Sequence, residues 1–203
     1  MKKKPVFSVL ILSISERLEI ASSLIKKLES ICKFDDVEIL VLLDNRKQSI
    51  TQKRNALLDI ALGDYVAFLD DDDDVFDDYF DEIVPICRQK KHDVITFNQY
   101  CNVNGFEFTV TFDHGNPVEG VNYSFLAQNP DYKVKRPPWH LCVWDSALAK
   151  SEKFKEVRNQ YNESCEDAVW IDSLNKKVTS PYKIEKKLHK YLYNTKISRS
   201  AHE

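Results

Sequence analysis

The sequence predicts an α/β fold, a single domain that opens with a parallel, doubly wound half-sheet. Three observations carry that prediction. Apolar runs of strand length alternate with segments of helical period across the first seventy residues, the order that builds parallel strands joined by right-handed crossovers. No repeat and no low-complexity linker divides the 203 residues. At 43% hydrophobic and 30% charged, the chain can bury one real core and is neither disordered nor fibrous.

Val6 to Ile14 reads as a first buried strand. Lys2-Lys3-Lys4 before it imitates a signal peptide, but Ser8 and Ser13 interrupt the apolar run and Glu16-Arg17 stands where a small-residue cleavage site belongs. Ser15 to Ile31 carries Leu18, Leu24, Ile25 and Leu28 at helical spacing. Val37 to Leu43 predicts a second strand, Thr51 to Leu62 a helix, and Tyr65 to Leu69 a third strand. After Pro85 the pattern loosens. Asp93 to Phe97 and Phe106 to Phe112 have β character, Pro130 to Pro138 reads as a Lys/Arg/Pro loop, Cys165 to Lys176 as a helix and Lys187 to Tyr193 as a last strand.

No segment reaches the roughly 18 apolar residues of a membrane span, so a soluble chain without a membrane partner is expected. Five cysteines, an odd number without C-x-x-C spacing, fit reduced thiols in the cytoplasm.

Asp70 to Asp74 are five consecutive aspartates directly behind the third strand. So much like charge at a strand end calls for a counter-cation. Carboxylates suit Mg²⁺ or Mn²⁺, which take one or two of them and complete their shells with water and phosphate oxygens. Crevices at the carboxyl ends of strands are also where open α/β sheets hold ligands. A solvated helix start is the plain alternative, since Asp is favoured in first turns. An EF-hand loop fails, because Val75 stands where glycine is needed and no helix precedes it.

Charge is segregated along the chain. Asp70 to Glu82 holds nine acids and no base, whereas Lys176 to Arg199 holds eight bases and one acid. A metal at one pole and a polyanion at the other is one reading, and a solvated basic helix and strand is the other.

Four segments, Ser8-Val9-Leu10-Ile11, Glu38 to Asn45, Lys53-Arg54-Asn55-Ala56 and Gly63 to Asp73, resemble in order and spacing the nucleotide-sugar half of family 2 glycosyltransferases of GT-A fold. Pro137-Pro138-Trp139-His140-Leu141 and Cys165 to Trp170 extend the resemblance, the latter similar to that family's Glu-Asp segment at a helix start. It implies one GT-A (Rossmann-like) domain over 1–203 with a mixed, mainly parallel central sheet, 1–85 binding the nucleotide-sugar donor and 86–203 binding the acceptor and carrying catalysis.

The resemblance assigns roles. Asp70-Asp71-Asp72 looks like the DXD motif, with Asp72 and Asp70 as ligands of Mn²⁺ or Mg²⁺ and Asp73 and Asp74 deepening the field. Ser13, Asp44, Arg54, Asp70, Asp71 and His140 fall to the donor, a UDP-sugar being favoured. Asp44 could equally cap the next turn. Asp167, with Glu166 beside it, is the expected base, since an inverting transfer needs a carboxylate to take the acceptor's proton; the alternative is that both acids complement the helix dipole. Trp139 and Trp170 are acceptor candidates, although core packing competes for at least one.

The chain departs from the family near Ile14, where an aromatic often flanks the base. Its closing Tyr191 to Lys196 lacks a histidine that serves as a metal ligand in some members, leaving His189 or Lys196 to compensate. With no membrane tail and no Gln-x-x-Arg-Trp segment, a soluble single-transfer enzyme is expected. The acceptor is a saccharide by the family's usual chemistry. A modified DNA base ranks second, because a short chain with a Lys-rich stretch including Lys186, Lys187 and Lys190 is similar to small virus- or phage-encoded members, which would place it in a host cytoplasm. A nucleotidyltransferase lacks support, as Ser13 to Arg17 contains no glycine, and a non-catalytic sugar- or polyanion-binding module is opposed by Asp70, Asp72 and Asp167.

Overall fold

The computed structural model describes residues 3–160, 162 and 164–193. Among them β1 (Phe7–Ile14), β2 (Val37–Asp44) and β3 (Tyr65–Asp70) form the parallel core of the sheet, in the spatial order β2-β1-β3. Helix α1 (Leu18–Ile31), entered through a 3₁₀ turn at Ser15–Arg17, makes the first crossover, and α2 (Ile50–Ile60) the second. The strand order reverses at β1. The crevice over the carboxyl ends of β1 and β3 is therefore the topological switch point of the sheet.

Local chemistry explains these elements. In α1 it is Ala21, Leu24 and Leu28 that are buried, while Leu18, expected on that face, is 54% exposed. The start of α2 is a capping box, Ser49 accepting from Gln52 N–H and the Gln52 side chain accepting from Ser49 N–H. Where the chain enters β3, a Cβ on Gly63 would meet Ser8 Oγ and stand 2.7 Å from Ser8 N, so glycine alone fits.

The second half is richer in elements than expected. A two-residue strand β4 (Asp74–Val75) begins at the last aspartate of the acidic run, and α3 (Tyr79–Cys87), not read from the sequence, contains Pro85, after which the sequence pattern loosens. Helix α3 survives because its buried Tyr79, Phe80, Ile83, Val84 and Cys87 anchor it. β5 (Val94–Val103) and β6 (Phe106–Phe112) form a hairpin. β7 (Lys133–Arg136) pairs parallel with β6 inside the segment expected to be a loop; its basic residues alternate with buried Val134. The remaining elements are α4 (Tyr123–Gln128), β8 (Val143–Asp145), α5 (Ser146–Lys150), α6 (Glu166–Asn175) and β9 (Pro181–Tyr193). β9 begins six residues earlier than its predicted start at Lys187, because lysines on its outer face mask the strand pattern.

The sheet is mixed, and its longest pairings, β1 with β2 and β5 with β9, are parallel. β8 bridges β3 and β5 by antiparallel pairs, while β9 pairs both β5 and β4. The core lies on both faces. Phe7, Tyr79, Phe80 and Phe97 pack on one, and Phe68, Phe154, Trp144 and Trp170 on the other. No helix among the described residues is long and apolar enough to cross a membrane.

Candidate active site

Five side chains meet over the ends of β3 and α6. Asp70, the last residue of β3, lies 3.6 Å from Arg54 Nη2 and 3.6 Å from His140 Nε2. The other ring nitrogen of His140, Nδ1, is 3.2 Å from Asp167 Oδ2, and the same carboxylate oxygen accepts from the indole N–H of Trp139 at 3.1 Å. Asp167 Oδ1 accepts from the Ala168 N–H at 2.7 Å, as suits an acid in the first turn of α6.

Electrostatics follow from this geometry. Burial opposes ionisation of Asp70, yet His140 and Arg54 hold its carboxyl far below the ordinary range. Burial likewise opposes ionisation of Asp167, and His140 and Arg54 overcome it, bringing the pKa to about 2. For His140, burial and Arg54 work against protonation, but Asp167 and Asp70 outweigh them and the pKa is raised. The set is two carboxylates with a histidine ring between them, whose protonated form they favour.

Arg54, which would be ordinary as an exposed helical arginine, is 2% exposed. Its guanidinium lies over the rings of Phe68 and Phe154, and Nε stands 3.4 Å from Glu166 Oε1. Glu166 is itself 3% exposed and accepts from Ser164 Oγ. It therefore supports Arg54 and is not turned to the crevice. Trp170 is 1% exposed within the aromatic cluster, so it is core and not an acceptor platform.

The acidic turn is a set of separate pairs. Asp71 is buried, accepts from Ser13 Oγ at 2.5 Å and meets Arg17; burial raises its pKa against those partners. Asp72 lies 2.7 Å from the same Arg17 nitrogen. Asp73 faces fully buried His189 at 3.3 Å, and burial pushes its carboxyl up to about 6. The other nitrogen of His189 meets Gln99 at 3.0 Å. Asp74 pairs with Lys190 at 2.7 Å. Among the described residues no three His, Cys, Asp or Glu side chains converge as a metal centre. Asp70, Asp74 and Asp72, with side chains 38%, 31% and 29% exposed, are the more open carboxylates of this turn, and Asp74 is engaged by Lys190.

Asp44, at the end of β2, accepts from the N–H groups of Lys47 and Gln48 at 2.6 and 2.8 Å and pairs with Lys53, which chiefly lowers its pKa to about 2. It caps its turn and also carries a counter-ion. Lys53 is 3% exposed and donates to Ser13 O at 2.8 Å. Ser13 is thus held by Asp71 and Lys53, beneath the crevice.

Lys53 and Arg17 were given no role by sequence, and His189, offered there as a stand-in metal ligand, was not paired with Asp73. Their partners lie 9, 54 or 55, and 116 positions away, beyond any local spacing. The segregated charge likewise has a different meaning in three dimensions. Lys186 contacts Asp78 at 3.1 Å and Glu82 at 2.6 Å, and Lys190 contacts Asp74, so the basic strand neutralises the acidic run. Lys187 is exposed, opposite Asn98. Lys196 lies outside the described residues.

A Rossmann-like sheet with acids at its switch point and a second acid at a facing helix start defines a GT-A-type protein. The chain belongs to glycosyl transferase family 2, whose pattern matches residues 16–158. Its fold is similar to that of S. aureus TarS 1-349 in complex with UDP-GlcNAc, at 14% identity and a TM-score of 0.64, covering 97% of this chain and 60% of that one. The same TarS fragment in complex with UDP matches at 13% identity and a TM-score of 0.60, over 93% and 60%. A longer S. aureus TarS structure matches at 14% identity and a TM-score of 0.59, over 92% and 36%. The chain thus spans about three fifths of the TarS fragment. No curated protein matches it.

Proposed function

We propose that the chain is an inverting, metal-dependent glycosyltransferase that moves a sugar from a nucleotide-sugar donor, a UDP-sugar, to a hydroxyl of a saccharide acceptor. The observation that carries this reading is His140 standing between Asp70 and Asp167, at 3.6 and 3.2 Å. That contact joins a carboxylate at the switch point, where a diphosphate would lie, to a carboxylate able to take a proton from an acceptor.

Asp70 and Asp72 fit a divalent cation of the Mg²⁺ or Mn²⁺ kind, because such ions need only one or two protein carboxylates when phosphate oxygens complete the shell. When bound, the ion supplies charge to stabilise the departing diphosphate. Everything else falls to this chain's own side chains. Asp44 and Lys53 hold the nucleoside end over β2, and Arg54 keeps a buried positive charge beside Asp70. His140 and Trp139 fix Asp167 Oδ2, and Asp167 takes the acceptor's proton as its oxygen attacks the anomeric carbon.

A saccharide acceptor is preferred to modified DNA because Lys186 and Lys190 are already engaged by acids. The test is a thermal-shift panel of nucleotide sugars with and without Mn²⁺. A donor at a hundred times its dissociation constant should add roughly 2.7 kcal/mol. A panel without any Mn²⁺-dependent shift would overturn the reading.

A further inference from the structure

Two carboxylates of the acidic turn share one cation. Nη2 of Arg17 stands 2.8 Å from Asp71 Oδ1 and 2.7 Å from Asp72 Oδ2. Arg17 ends the 3₁₀ turn that follows β1, at the switch point of the sheet. The two contacts are unequal. Asp71 is 3% exposed and keeps Ser13 as a second partner, whereas the side chains of Asp72 and Arg17 are 29% and 20% exposed. The contact to Asp72 can therefore open without unpacking the core.

An arginine so placed occupies the carboxylate that a divalent cation would use. Its two contacts are made through one nitrogen, while a guanidinium carries five N–H donors in a fork that matches phosphate oxygens. An arriving nucleoside diphosphate brings negative charge into a turn that is already acidic, so a cation that follows the diphosphate offsets that repulsion.

We propose that Arg17 is a donor-positioning residue that exchanges partners, neutralising Asp72 while the crevice holds no nucleotide and turning to the donor's diphosphate once a divalent cation takes Asp72. This rests on the donor reading given above. It implies opposite effects on two ligands, which a merely structural role does not produce. Losing Arg17 removes a competitor of the metal and a partner of the diphosphate at once.

The experiment uses the whole chain, with Mn²⁺ alone followed by the spin-resonance signal of the free ion, and UDP at saturating Mn²⁺ followed by calorimetry. R17A is expected to bind Mn²⁺ roughly tenfold more tightly and UDP roughly tenfold more weakly, the scale of one hydrogen bond to a charged group. R17K, which keeps the charge but loses the fork, should hold Mn²⁺ as the parent does and still bind UDP more weakly; it carries the test if R17A does not fold. Weakening of both ligands in folded R17A, or no change in either, overturns the partner exchange while leaving the donor reading intact. If the parent chain binds neither UDP nor UDP-sugars with Mn²⁺, the donor reading falls, and the exchange with it.

Discussion

Nδ1 of His140 stands 3.2 Å from Oδ2 of Asp167, the oxygen that also accepts the indole N–H of Trp139. The indole hydrogen bond and the imidazole standing within ion-pair range of the same oxygen restrict the rotation of the carboxylate. The orientation of the proposed base is thus set by residues 27 and 28 positions before it, carried by the turn between β7 and β8.

Replacing Asp167 by Asn should leave donor affinity unchanged and lower transfer by about 10² or more, the scale of a lost general base. Donor titration and turnover must separate. If they fall together, Asp167 serves the donor or the fold.

Trp139→Phe keeps the ring and deletes only the N–H. Transfer should fall roughly tenfold, in line with one hydrogen bond to a charged acceptor, with the donor's KM unmoved. Equal kcat in the two proteins would mean that His140 alone orients the base.

Asp72→Asn should abolish metal-dependent donor binding while the fold persists, because it removes a ligand and relieves repulsion within the acidic turn. The melting temperature is expected to hold or rise. Normal turnover of this variant at low Mn²⁺ would sink the metal assignment.

Arg54→Met strands the carboxylate of Glu166, which is 3% exposed, and should destabilise by about 3 kcal/mol, as breaking a buried pair does. The double variant Arg54→Met with Glu166→Gln should recover part of that loss, since the two sites are coupled. Denaturant midpoints decide it, and strictly additive losses would refute the pairing.

The His140–Asp167 contact also sets a pH window. Asp167 is depressed from 3.8 to about 2, so its contribution to stability is present above the higher value and is lost as pH falls toward the lower. His140 is raised above 6.5, so its contribution is complete below 6.5 and is lost as pH rises through the folded value. The difference in melting temperature between the parent and His140→Ala should therefore be widest between those limits and narrow on both sides. A difference independent of pH would exclude the ion pair.

The first half of the fold was legible because β1, β2 and β3 are apolar runs buried against helices whose residues keep the 3.6 period. The second half was less so. Helix α3 was not read from the sequence, and its buried face of Tyr79, Phe80, Ile83 and Val84 tolerates Pro85. β7 and the first part of β9 were hidden by lysines on their outer faces. Among the candidate site residues, Asp44, Asp70 and Asp167 were proposed because strand ends and helix starts are recognisable positions, and the structure puts them at such positions. Arg17 and Lys53 could not be, since only folding brings them to Asp71, Asp72 and Asp44; His189 was offered as a stand-in metal ligand, but its pairing with Asp73 is visible only in the fold. Trp170 and Glu166 had the right chemical type, but their burial is a tertiary property.

β9 pairs with β5 along nearly its whole length and also with β4, setting Asp74 opposite Lys190 and Val75 opposite His189. The turn proposed to meet the diphosphate is thereby stitched to a strand from the other half of the chain. The halves are not interchangeable modules. A chimera that grafts residues 86–203 of a relative onto residues 1–85 of this protein would orphan Asp73 and Asp74 unless the newcomer brought a histidine and a lysine in the same register.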